Sequence, residues 1–228
     1  MSNEIKKHLI IIAMIYVLLF YVSCILDQKL VEIWFFSVPA PFLYFTFIYP
    51  LSDAVTEVYG PKTTWFFLLC GYITTVIFSL LTVGVIHMPN PSGVQYMTVQ
   101  QDYDLLDSAI IKCLGFGYLA FFIGMYVNVK LLAKYKLKFN GRYYYLRSIF
   151  ACCISEFIVT VLANILIWGD RISHLQLAYL IGFGYLFLIP TTLLWAVVGK
   201  FVKDFLYIAE GQKAYVYNTS FWSALRGK

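Results

Sequence analysis

Long apolar runs along the chain alternate with short segments that hold most of its charged residues. A helix that crosses a membrane needs about 20 mostly apolar residues to cover about 30 Å of hydrocarbon. Six segments meet that need, at about 8–26, 37–59, 63–86, 109–133, 146–168 and 175–199. The pattern predicts an all-α integral membrane protein with six transmembrane helices in a single domain over residues 1–228. The run Leu9–Leu26 is too long for the apolar core of a secretory signal peptide, and more spans follow it. It is therefore expected to stay as a membrane helix.

Composition supports this reading. Hydrophobic residues make up 61% of the chain and charged residues 13%, against about 25% charged in soluble domains. Such a chain cannot cover itself with polar surface, and it is too apolar for disorder. Aromatic residues reach 19%, enough to anchor helix ends at the membrane interface and to line a pocket for a flat ligand.

The charges set the orientation. With the N-terminus in the cytoplasm, fourteen of the seventeen Lys and Arg fall on the cytoplasmic side. The loop His87–Ser108 on the other side holds no Lys or Arg, but it carries Asp102, Asp104 and Asp107. This is a positive-inside distribution, and six spans then put both termini in the cytoplasm. The net charge of +5 is thus topological. It is spread over four short segments without a nucleic-acid motif, so no nucleic-acid partner is expected. The tail after Lys200 is mixed and is expected to start as an amphipathic helix.

The five cysteines lie in or beside the spans and have no zinc or disulfide spacing. There is no HExxH, GxSxG, Walker A or GxGxxG sequence. No catalytic residue, metal site or cofactor is assigned, and an enzyme is not expected. The pentapeptide Gly115–Leu119 recurs as Gly182–Leu186, in spans four and six, where small residues favour close helix packing.

Ionisable residues inside spans are costly and mark candidate sites. In the second span the apolar run Val38–Leu51 has only 14 residues. The helix must therefore continue through Asp53 and Glu57, in the cytoplasmic half of the membrane. These two are i and i+4 and share a face, with Tyr49 and Thr56 near it. Pro50 is expected to kink the helix beside them. In the fifth span Glu156 lies about 12 Å deep from Ser148, at about 1.5 Å per residue. Glu156, Thr160 and Asn164 form a polar stripe at i+4 steps. Spans two and five occupy equivalent places in a three-plus-three division, as two inverted halves would require.

The segment Phe47–Lys62 (FIYPLSDAVTEVYGPK) resembles the motif of the queuosine precursor transporters, through Pro50-Leu51, Asp53, Glu57-Val58-Tyr59-Gly60 and Lys62. Arg147–Glu156 (RSIFACCISE) is similar to a second pattern of that family, with Glu156 where the family carries Asp. Two positions depart from the family: Cys153 replaces a frequent Asn or Gln, and Tyr179–Gly199 lacks the frequent Lys. The resemblance implies a six-span transporter of a bacterial inner membrane that imports a 7-deazaguanine-type base.

Such a base presents adjacent N–H donors that a carboxylate accepts in a planar, bidentate way, and its flat face stacks on aromatic rings. The substrate-binding or proton-coupling candidates are Asp53, Glu57 and Glu156, assisted by Tyr49, Tyr59 and Asn164. The alternative is a substrate-binding membrane subunit of a vitamin importer energised by a separate ATPase. Expected partners are the small-molecule substrate and the lipid bilayer. Six spans are few for a complete permeation path, which leaves a homodimer open.

Overall fold

The computed structural model describes residues 7–26, 29–33, 36–43, 45–88, 110, 116–170 and 172–210. Most of the His87–Ser108 loop, the first of the two pentapeptides up to Gly115, and the tail beyond residue 210 lie outside them. The described residues form six helices: α1 (Lys7–Leu26), α2 (Ile48–Tyr59), α3 (Pro61–Ile86), α4 (Tyr118–Lys138), α5 (Tyr144–Trp168) and α6 (His174–Glu210). Three are long and apolar enough to cross a membrane, over Pro61–Ile86, Tyr144–Trp168 and His174–Ala209; a shorter apolar helix covers Lys7–Ser23. Their outer faces carry exposed apolar side chains such as Met14, Leu80, Leu81, Leu175 and Leu194, as lipid contact requires.

The second span is not one helix. Residues Leu30–Ile33 (β1) and Phe36–Pro39 (β2) pair as an antiparallel hairpin with Val31 opposite Val38. Two 3-10 turns follow, Ala40–Leu43 and Phe45–Phe47, and α2 begins only at Ile48. Pro39 and Pro41 explain the break, because each lacks an N–H and disfavours a helical residue before it. Non-helical backbone is tolerated at membrane depth only where protein covers it or it lines a cavity. Here Val38, Ala40 and Thr46 are buried.

The expected kink at Pro50 is replaced by a helix start. Pro50 stands in the first turn of α2, where a missing N–H costs little. Pro190 instead sits inside α6. Just beyond it, the hydroxyls of Thr191 and Thr192 each donate to the Leu188 carbonyl at 2.8 Å. The α6 helix also runs to Glu210, so the start of the tail is helical, as expected.

Without a hydrophobic force between helices in lipid, close packing and hydrogen bonds hold a bundle together. The centre is an aromatic cluster. Phe20 of α1 meets Phe121 of α4 edge-on at 4.8 Å, and Phe45 meets Phe121 at 5.1 Å. The Tyr118 hydroxyl donates to the Leu68 carbonyl of α3 at 3.0 Å. Gly60 joins α2 to α3 at φ 87°, a conformation that favours glycine. Of the repeated glycines, Gly184 faces Phe42, whereas Gly182 has open space beside it.

Gly124 sets the spacing of α4 and α5. A Cβ there would run into Val159 Cγ2 and lie 3.2 Å from the Tyr49 hydroxyl. Val159 is β-branched and has little rotamer freedom in a helix. Gly124→Ala is therefore expected to destabilise the protein by about 1–3 kcal/mol. Thermal unfolding in detergent reads this, and a Val159→Ala second change should restore much of the loss. An unchanged midpoint for Gly124→Ala alone would show that the two helices separate freely.

Candidate functional site

Each of the three span carboxylates sits in a different environment. Asp53 on α2 is fully buried and accepts three hydrogen bonds. Asn128 Nδ2 of α4 donates to Oδ1 at 2.5 Å, while Ser148 Oγ and Cys152 Sγ of α5 donate to Oδ2 at 2.5 and 3.3 Å. Asp53 thus ties α2, α4 and α5 together. This is one of two polar contacts between spans two and five among the described residues.

Glu57, one turn further along α2, faces Arg147. The guanidinium donates Nη2–H to Oε1 at 3.1 Å and Nη1–H to Oε2 at 3.3 Å, a fork on a fork. The remaining Arg147 donors reach backbone carbonyls of Arg142 at 2.8 Å, Gly141 at 3.3 Å and Leu132 at 3.4 Å. Lys136 Nζ of α4 donates to the Glu57 carbonyl at 2.7 Å and lies 3.7 Å from Oε1. The Tyr207 hydroxyl of α6 stands 3.5 Å from the same carboxylate. Four helices converge on Glu57, at one end of the bundle.

Glu156 on α5 is 3% exposed. Its Oε2 lies within hydrogen-bond distance of Thr192 Oγ1 of α6. Its Oε1 has no partner among the described residues. It borders a cavity of about 40 Å³, lined by Phe42 and Phe45 of the 3-10 segment, by Thr46 and Tyr49, and by Thr160, Asn164 and Leu188. The Tyr49 hydroxyl and Thr46 Oγ1 are also buried without a partner among the described residues. Asn164 Nδ2 donates to the Thr160 carbonyl at 2.7 Å. Unpaired buried polar groups are costly, and three of them belong to residues that border this one cavity.

Of the six residues expected to form the site, the structure brings Tyr49, Glu156 and Asn164 together. Asp53, Glu57 and Tyr59 do not line the cavity. The first two are engaged in their own networks, and Tyr59 is half-buried at the far end of α2 beside the core. Sequence reading missed Asn128, Thr192, Thr46 and the role of Arg147. Asn128 carried a signal, as an amide inside an apolar run. Arg147 looked like one more cytoplasmic cation, because its partner is 90 residues away in sequence.

Apolar helices with outward-facing side chains, packed around buried carboxylates, define a multi-pass membrane protein. A family profile described as "Putative vitamin uptake transporter" matches residues 39–202. The chain belongs to this vitamin uptake transporter family. No curated protein and no solved structure matches it.

Proposed function

We propose that the protein imports a flat nitrogenous base of the 7-deazaguanine type, the queuosine precursor class, across a bacterial inner membrane with both termini in the cytoplasm. The observation that carries this is the group of unpaired polar atoms at the cavity, Glu156 Oε1, Tyr49 OH and Thr46 Oγ1. Glu156 accepts N–H donors from the base edge, and Tyr49 and Thr46 serve its remaining polar atoms. Phe42 and Phe45 supply aromatic faces for stacking. A ligand site usually needs about 300–1,000 Å³, so loading requires these two rings to swing away from α5.

Glu156 also suits proton coupling. The Thr192 hydroxyl has one hydrogen, yet it lies within reach of both Glu156 and the Leu188 carbonyl. A protonated Glu156 resolves this, donating to Thr192 while Thr192 donates to Leu188. Binding of a cationic or hydrogen-donating base favours the ionised form and releases the proton. Asp53 and Glu57 act as locks between helices in this reading, with Arg147 closing the cytoplasmic end.

The test is uptake by the purified protein alone in liposomes, with 7-deazaguanine precursors, queuine, guanine, thiamine and riboflavin as solutes. Uptake of deazaguanines without ATP, faster when the outside is acidic, is the expected result. Uptake that appears only after an ATPase pair is added would replace it with the multi-subunit importer.

A further inference from the structure

A second concave surface lies along the ends of α4 and α5 where Glu57 meets Arg147. It is an open groove of about 660 Å³ bordered by Tyr135, Phe139, Tyr143, Leu146, Phe150 and Cys153. Its rings form a connected set: Tyr135 stacks on Phe139 at 6.0 Å and meets Phe150 edge-on at 5.5 Å, while Phe139 meets Tyr143 at 6.2 Å. Tyr143 and Leu146 are more than 60% exposed. The apolar lining faces outward, at the level where the membrane interface should lie. The turn is held in shape by left-handed backbone at Asn140, Gly141 and Tyr143 and by the Arg147 bonds to the carbonyls of Gly141 and Arg142.

The rim is cationic. Lys134 and Lys138 lie one turn apart on the end of α4, and Arg142 precedes Tyr143; all three are exposed. Lys138 Nζ stands 5.8 Å from the Phe139 ring centre, which places a positive charge directly at the groove. Among the described residues no ion pair holds these three cations. The groove lining contains no carboxylate, and Glu57 is turned inward onto Arg147. An apolar slot with an unneutralised positive rim is complementary to one class of molecule that is abundant at this depth.

We propose that this groove binds an anionic glycerophospholipid. One acyl chain lies along Phe139, Leu146 and Phe150, and the phosphate meets Lys138 and Arg142. Basic pockets beside cytoplasmic helix ends take anionic headgroups in this way, and the groove volume falls in the usual range for a bound small molecule. The stem of Arg147 also borders the groove, so an occupied groove braces the α4–α5 turn that presents Arg147 to Glu57. The inference does not depend on what the Glu156 cavity carries.

Native mass spectrometry of the full-length, detergent-purified protein tests it, with phosphatidylglycerol and phosphatidylcholine of identical acyl chains. Preferential retention of phosphatidylglycerol is expected. A cation near an anionic lipid surface contributes about fivefold in affinity, so Lys138→Gln with Arg142→Gln should weaken phosphatidylglycerol retention about 30-fold and leave phosphatidylcholine unchanged. Leu146→Trp, which fills the slot without changing charge, should weaken retention of phosphatidylglycerol. Equal retention of the two lipids by the unaltered protein would overturn the proposal. So would phosphatidylglycerol retention unmoved by both variants, or a lipid-free dimer that Leu146→Trp dissociates, since a second copy would then cover the groove.

Discussion

Glu57→Gln should lower the thermal unfolding midpoint by roughly 6–20 °C, from about 3–5 kcal/mol for breaking a buried ion pair at about 2–4 °C per kcal/mol for a chain of this size. The reason lies in what is left behind. Arg147 and Glu57 are each about 97% buried, and the guanidinium meets the carboxylate through both terminal nitrogens. Removing the negative charge leaves a buried cation with only carbonyl partners, and takes the carboxylate away from Lys136 as well. The opposite change, Arg147→Met, strands Glu57 and also frees the carbonyls of Gly141, Arg142 and Leu132, so it should cost at least as much. The double change Glu57→Met with Arg147→Met removes both charges. Its cost should be clearly smaller than the sum of the single changes, because an apolar pair leaves no unpaired charge. Thermal unfolding of the unaltered protein, Glu57→Gln, Glu57→Met, Arg147→Met and the double change in one detergent measures this. Additive losses, or a Glu57→Gln midpoint within 2 °C of the unaltered protein, would show that the pair does not lock the bundle.

Glu156→Gln should behave in the opposite way. Its carboxyl has no cation beside it, and an ionised form would be a lone buried charge; the protonated form donates to Thr192. Gln is neutral too and keeps an N–H to donate to Thr192, so the folded protein should be about as stable as before. Ligand binding should suffer instead. A hydrogen bond to a charged group contributes about 1.5–3 kcal/mol, which corresponds to roughly 10–150-fold in affinity for the base. Two buried glutamates 99 positions apart in sequence thus separate by function. One variant loses stability, and the other loses its ligand while remaining folded.

The helices were largely legible from the apolar runs, because a bilayer demands long uninterrupted segments and leaves little choice of element. The second span shows where that logic ends. Its hydropathy is right for a crossing helix, but Pro39 and Pro41 convert its first part into a hairpin end and 3-10 turns. The site was half legible. Depth in the span singled out Glu156, and the i+4 stripe added Asn164, which borders the same cavity. Proximity in sequence to Asp53 and Glu57 then drew both into the same site, although spacing along one helix says nothing about partners on other helices. Asn128, Ser148 and Arg147 decide what these carboxylates do, and they lie 75 or more positions away. Thr46 and Phe42 entered the cavity only because the chain breaks ahead of α2, which the apolar pattern concealed.

The most direct measurement is equilibrium binding of a 7-deazaguanine precursor to the purified protein, compared among the unaltered chain, Glu156→Gln and Glu57→Gln, with thermal midpoints taken on the same samples. A ligand at 100 times its dissociation constant adds about 2.7 kcal/mol of stability, so binding is visible in both readouts. The account predicts saturable binding by the unaltered chain, binding weakened at least 10-fold in Glu156→Gln at an undiminished midpoint, and a lowered midpoint in Glu57→Gln. Full affinity in Glu156→Gln would contradict it, because the ligand would then be held somewhere other than the cavity between Tyr49 and Asn164.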